Sequence, residues 1–172
     1  MKANMNAYLA SLGPQASIRT LKEIIEFNKR HKDTELVWFG QEELVASEAD
    51  GPLTEKAYLD ALATSKRLAR TEGIDAAMDK DKLDAIVAPT STPAHVTDWV
   101  LGDHGLGDSS TFAAVAGYPS ITVPAGQVFE LPVGISFFGR AWSEPRLLGI
   151  AFVFEQATKA RRPPRFLATV RG

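Results

Sequence analysis

Three prolines constrain this chain more than any other feature. In Gly117-Tyr-Pro-Ser-Ile-Thr-Val-Pro-Ala-Gly-Gln127 and Leu131-Pro-Val-Gly-Ile-Ser-Phe-Phe-Gly-Arg140, Pro119, Pro124 and Pro132 stand at the ends of two short runs of β-branched and aromatic residues. A proline inside a central strand deletes a ladder hydrogen bond, so these positions mark where pairing is expected to start and stop. Residues 120–123 and 133–138 therefore read as two buried strands joined by a tight connection. Just upstream, Asp108-Ser-Ser-Thr-Phe-Ala-Ala-Val-Ala-Gly117 has the form of a short helix. Ser109 or Ser110 would cap it and Gly117 would stop it in the left-handed conformation.

Further helices are predicted elsewhere. Residues 1–12 read as a weak helix stopped at Gly13-Pro14, and residues 1–16 as a poorly ordered lead-in to a single domain spanning 1–172. Thr20 with Glu23 forms a capping box, and Ile18, Leu21, Ile24, Ile25 and Phe27 supply an apolar face, so a helix is predicted over 21–30. Lys29, Arg30 and Lys32 suit its C-terminal dipole. A short helix is expected over 40–47. A long one is expected from a cap at Thr54, carrying Tyr58, Leu62 and Ala69, with a bend or a second helix where Gly73 interrupts it. Near the end, Ser143, Glu144 and Pro145 open a helix whose residues Leu147, Ile150, Ala151 and Phe154 face inward, before Lys159, Arg161, Arg162 and Pro163-Pro164.

Between these helices the period changes. Ala85-Ile-Val-Ala88, closed by Pro89, is a compact apolar run of the kind found in strands buried on both faces, as in a sheet covered by helices. Thr90-Ser-Thr-Pro-Ala94 is a turn-rich loop after that strand, where ligands gather in open α/β sheets. Residues 96–108 carry Trp99, Asp103, His104 and three glycines without periodicity, which predicts a long loop suited to a binding wall. The fold class is α/β: a partial, mixed β-sheet covered by helices.

Composition narrows the function. A net charge of −2 gives no basic footprint for nucleic acid. The sequence has no cysteine, which excludes disulfides, thiolate metal sites and cysteine nucleophiles and fits a reducing compartment. No run approaches ~18 apolar residues, so no membrane span is expected, and the N-terminus lacks the apolar core of a signal peptide. A cytoplasmic location is the expectation. His31, His95 and His104 are too scattered for a metal motif, and the glycines form no phosphate loop, so neither metal nor cofactor is expected. Asp103, His104, Ser109 and Ser110 hold the residue types of a hydrolase triad, but crowded into one loop they are better explained as loop polarity and a helix cap.

Five blocks carry a resemblance. Leu83-Asp-Ala-Ile-Val-Ala-Pro-Thr90, Val115-Ala-Gly-Tyr-Pro119, Ile121-Thr-Val-Pro-Ala-Gly126, Leu131-Pro-Val-Gly-Ile135 and Leu147-Leu-Gly-Ile-Ala-Phe-Val-Phe-Glu155 resemble, in order and spacing, the C-terminal portion of the amidase signature family, above all bacterial peptide amidases. The resemblance implies amide hydrolysis by a serine, with the proton relayed through a cis-serine to a neutral lysine. The motifs carrying those residues precede everything present here, so no catalytic residue is assigned in this chain. What the resemblance implies for this portion is sheet and a substrate-funnel wall, with Thr90, Ser91, Thr92, Trp99 and Ser109 as substrate-binding candidates. The expected partner is the missing N-terminal amidase portion or a second copy of the chain, and a small amide substrate is expected only in the intact enzyme. Two alternatives stand beside this: an independent serine hydrolase using Ser109 or Ser110, and a non-catalytic interaction module that keeps the fold.

Overall fold

A computed structural model describes residues 1–98, 100–102, 105 and 107–166. The chain forms two compact units, Met1–Ala61 and Leu62–Gly172.

The first unit holds α1 (Lys2–Ser11), α2 (Leu21–Arg30), α3 (Lys32–Glu35) and α4 (Glu42–Ala49). The expected cap of α2 is present: Thr20 Oγ1 accepts from the Glu23 N–H at 3.2 Å, and the Glu23 carboxylate reaches back to the Arg19 N–H at 2.6 Å. Leu21 and Ile25 are buried. Asn6 Oδ1 accepts from the Leu21 N–H at 2.8 Å, which ties α1 to the start of α2. The single turn of α3 has no counterpart in the sequence reading.

α5 (Lys56–Ala69) begins two residues after the expected cap, because Thr54 lies in a turn closed by the Glu55 N–H on the Pro52 carbonyl at 2.9 Å. The break at Gly73 is a π-turn over Arg70–Ile74, followed by α6 (Asp75–Asp81), which Lys82 ends at φ 54°. A Cβ at position 73 would lie 2.5 Å from the Leu68 carbonyl oxygen, so only glycine fits the widened turn.

The rest of the second unit is a layered core. β1 (Ile86–Pro89), α7 (Ser110–Ala116), β2 (Ser120–Val128), β3 (Leu131–Phe138) and α8 (Glu144–Thr158) follow in order. The strands form one antiparallel sheet in the order β1-β3-β2, with Val87 and Ile121 both opposite Phe137. Strand alternation sorts side chains to two faces. Phe138, Ile86 and Ala88 pack with Ile74, Met78, Ala113 and Ala116 of the π-turn, α6 and α7. Phe137, Val123, Ile121 and Ile135 pack with Leu147 and Ala151 of α8. The expected α/β architecture, a partial sheet with helices on it, is what the chain adopts.

Three expectations need correction. β2 does not stop at Pro124 but continues to Val128 through a bulge between Pro124 and Gly126. As an edge strand it has a side with no partner, where a missing N–H costs nothing. Pro132 likewise lies inside β3, at a point beyond the reach of β1, whose pairing ends at Ile135. Nor is β1 buried on both faces: Val87 is 53% exposed, because α8 lies over the β2 and β3 side chains and leaves β1 bare. The tight connection is a two-residue hairpin in which Phe129 and Glu130 both have positive φ, the backbone of a type I′ turn.

Candidate functional site

The loop after β1 is held by its first residue. Thr90 donates its N–H to the Gly134 carbonyl at 2.9 Å and accepts the Ser109 N–H on its carbonyl at 3.1 Å. Its hydroxyl lies 2.8 Å from Ser136 Oγ, which in turn is 2.9 Å from Thr122 Oγ1. Ser136 is buried, and a Cβ at Gly134 would come within 2.8 Å of Thr90 Oγ1. These hydroxyls therefore cross all three strands and fix the loop against the start of α7. An isolated bridge between Ser91 and Asp108 extends the same junction.

A cavity of about 370 Å³ opens beside it, lined by Ala88, Ser91, Thr92, Asp108, Ser109 and Phe112 among others. Of the sequence candidates, Ser91, Thr92 and Ser109 come together here. Thr90 does not line the cavity, because its polar groups are spent on the sheet and on Ser109. Trp99 lies outside the described residues, as do Asp103 and His104. The sheet is antiparallel, so the rule that placed ligands at the ends of parallel strands does not support this site. Its support is the cavity itself.

Neither serine caps α7 with its side chain. Asp108 does so: its carboxylate accepts the Ser110 N–H at 2.7 Å and the Ser110 hydroxyl as well. The Ser110 hydroxyl first, and its N–H second, hold the Asp108 carboxyl below the usual carboxylate range. A carboxylate stabilised in this way is a poor proton acceptor, so Asp108 is a weak base for Ser110. Ser109 is 5% exposed, and its hydroxyl has no hydrogen-bond partner among the described residues. Among those residues, no group of three His, Cys, Asp or Glu side chains is placed to hold a metal, and no helix is long and apolar enough to cross a membrane.

The sequence reading missed Thr122, Gly134 and Ser136. Period-two alternation contained the signal, since Thr122 and Ser136 share the face of Phe138 and Thr90 extends the face of Ile86 and Ala88. A larger hollow of about 970 Å³ runs along α8, lined by Phe137, Trp142, Arg146, Ile150, Val153 and Phe154 among others. It is almost wholly apolar and holds no nucleophile beside a base, so it is no candidate for chemistry.

The family profile described as Amidase matches residues 2–148. The chain belongs to the amidase family. It is 41% identical over 170 residues to a protein named as a probable amidase of Arabidopsis thaliana, covering 97% of this chain and 29% of that one. It superposes on the peptide amidase PAM, solved in complex with the competitive inhibitor chymostatin, with a TM-score of 0.90 at 48% identity, covering 96% of this chain and 33% of that one. The native peptide amidase of Stenotrophomonas maltophilia gives a TM-score of 0.86 at 47% identity, with 96% and 33% covered. This amidase-family chain thus spans about a third of the length of these relatives, consistent with the portion that the five sequence blocks indicated.

Proposed function

We propose that this chain is the C-terminal portion of an amide-hydrolysing enzyme of the peptide-amidase kind, and that its catalytic serine, cis-serine and lysine lie outside it. The carrying observation is the 48% identity at a TM-score of 0.90 to a peptide amidase of which the chain spans only 33%. On this reading the chain contributes sheet and one wall of the substrate funnel. Ser91, Thr92 and Ser109 line that wall, and Thr90 positions it from behind. The buried hydroxyl of Ser109, which has no partner among the described residues, supports the assignment, since a hydroxyl left without a partner in a cavity wall is costly unless a ligand or water completes it.

The reading is tested by a chimera in which this chain replaces the matching third of the Stenotrophomonas maltophilia enzyme. Ammonia release from a peptide amide is the assay. Turnover by the chimera, with none by the isolated chain, is the expected result. A folded but inactive chimera refutes the reading. Turnover by the isolated chain that disappears in Ser109→Ala or Ser110→Ala transfers the assignment to the independent serine hydrolase.

A further inference from the structure

The sequence contains a single Asp-Gly pair, Asp50-Gly51, in the link between α4 and the turn that opens at Pro52. An aspartate carboxyl can react with the amide nitrogen of the residue that follows it, because their union closes a five-membered ring. Glycine leaves that nitrogen unhindered, having no β-carbon beside it. Both residues are exposed. Among the described residues the Asp50 carboxylate makes no hydrogen bond or ion pair, and the Gly51 N–H donates to nothing. The two groups that would react are therefore not used by the fold. A hollow of about 600 Å³, lined by Lys2, Asn6, Asp50, Gly51 and Tyr58 among others, opens the link to water.

One contact restrains this link. Lys2 of α1 donates its ammonium to the Glu48 carbonyl at 2.7 Å and to the Asp50 carbonyl at 2.9 Å, a cation at the C-terminal end of α4. Asp50 is held at φ −58° and ψ 145°. Ring closure needs the Gly51 nitrogen to swing about the Cα–C bond of Asp50 until it eclipses Cβ, and at ψ 145° it is turned well away. Oxygen and nitrogen of a peptide group turn as one plane, so bringing the nitrogen to Cβ takes the carbonyl oxygen off Lys2. The rotation that permits reaction is the one that breaks the Lys2 bond.

We infer that Asp50-Gly51 is a site of isoaspartate formation whose rate Lys2 governs. When the Asp50 carboxyl is protonated and the link rotates, the Gly51 nitrogen bonds to Asp50 Cγ. The amide proton and the carboxyl hydroxyl leave as one water, and a succinimide results. Water then adds at one of the two ring carbonyls. Opening at the side-chain carbonyl restores aspartate, and opening at the main-chain carbonyl gives isoaspartate of the same mass. No oxidant, reductant or other reactant enters. The product carries the chain through the former side chain, one carbon longer, and presents a free α-carboxylate where Lys2 held a carbonyl. That exposed group is the kind of substrate that isoaspartyl carboxyl methyltransferases, which use S-adenosylmethionine, take. The inference concerns the first unit alone and is independent of the amidase reading.

The test is to age the purified chain at physiological temperature and neutral pH, digest it, and follow the peptide containing Asp50 by liquid chromatography and mass spectrometry. Methylation by an isoaspartyl carboxyl methyltransferase identifies the product. A species of unchanged mass and altered retention is expected, preceded by one that is lighter by one water. Lys2→Met removes a charged donor from the carbonyl and is expected to speed its growth about two- to tenfold. Gly51→Ala is expected to suppress it, and the added methyl meets only the flexible end of the Glu55 side chain. Leu21→Ala, which loosens the core of the same unit without touching Lys2, separates the clamp from general destabilisation. With thermal midpoints measured for each, Lys2→Met is expected to accelerate the reaction more than its loss of stability accounts for on the Leu21→Ala scale. Absence of isoaspartate at Asp50 from both the parent chain and Lys2→Met overturns the inference. So does a rate that Lys2→Met leaves unchanged, or one that follows stability alone.

Discussion

Adding one methyl group at position 134 is expected to destabilise the sheet and shift the loop that follows β1. A Cβ built on Gly134 lies 2.8 Å from Thr122 Cγ2, 2.8 Å from Thr90 Oγ1 and 3.2 Å from Thr90 Cβ. Carbon contacts are favourable only near 3.5–4.0 Å, so something must move. The backbone of Gly134 is not in the left-handed region, and alanine can adopt it. Overpacking of this kind costs about 1–3 kcal/mol. Displacing Thr90 from Ser136 loses a further ~0.5–1.5 kcal/mol. The lower entropy of alanine in the unfolded chain offsets about 0.5–1 kcal/mol. The net loss expected is about 1–3 kcal/mol. For a chain of this size that lowers the unfolding midpoint by roughly 2–12 °C. Thermal unfolding followed by circular dichroism is the assay, run for Gly134→Ala alone and in a Thr122→Ser background that removes the clashing methyl. Partial recovery in the double variant is expected. An unchanged midpoint in Gly134→Ala, or the same loss in both backgrounds, would refute the packing described around Thr90.

Four further outcomes follow from the structure. Leu147→Ala, at a side chain 1% exposed between α8 and the sheet, is expected to cost about 2–5 kcal/mol in urea unfolding. Burial first, and the hydrogen bond to Asp75 at 2.9 Å second, raise the Tyr118 hydroxyl above its usual value. Its contribution is therefore full below the ordinary tyrosine range and is lost as pH climbs through the raised value, so Tyr118→Phe should flatten the alkaline limb of the stability profile. Asp108 is shifted the other way, so its contribution is present above the ordinary aspartate range and disappears as pH falls through the lowered value. Asp108→Asn should flatten the acid limb. Ser109→Ala removes a buried hydroxyl with no partner among the described residues and is expected to leave stability unchanged or raised, while increasing KM in the chimera. A clear drop in midpoint would show that the hydroxyl is bonded.

What could be read from the sequence was set by local chemistry. The capping box at Thr20 and Glu23 placed α2, Gly117 marked the end of α7, and Ser143-Glu-Pro145 marked the start of α8, because each signal acts within one or two turns. The misjudged features depend on strand order. Whether Pro124 ends a strand depends on its being at an edge, and whether Val87 is buried depends on what lies over β1, neither of which its neighbours in sequence reveal. The candidate site divided along the same line. Ser91, Thr92 and Ser109 were found as loop polarity, but the role of Thr90 appears only when β2 and β3 bring Thr122 and Ser136 beside it. Ser109 does hold the N-cap position of α7, but the capping bond comes from Asp108 one residue earlier, which Asp, Ser and Ser standing in a row left undecided.

The π-turn before α6 also sets a phase. Its five residues, Arg70–Ile74, widen the helical ladder by one residue, and everything downstream is rotated by about 100° relative to an uninterrupted helix. Ile74 and Met78 lie four apart, and both reach the core only in that rotated setting. Deleting one residue of the turn would give a more regular helix and, at the same stroke, swing both side chains away from Phe138. A shorter, smoother version of this chain is therefore a worse one, and the irregularity acts as a spacer that a sequence drifting toward ideal helix cannot lose without emptying the layer beneath it.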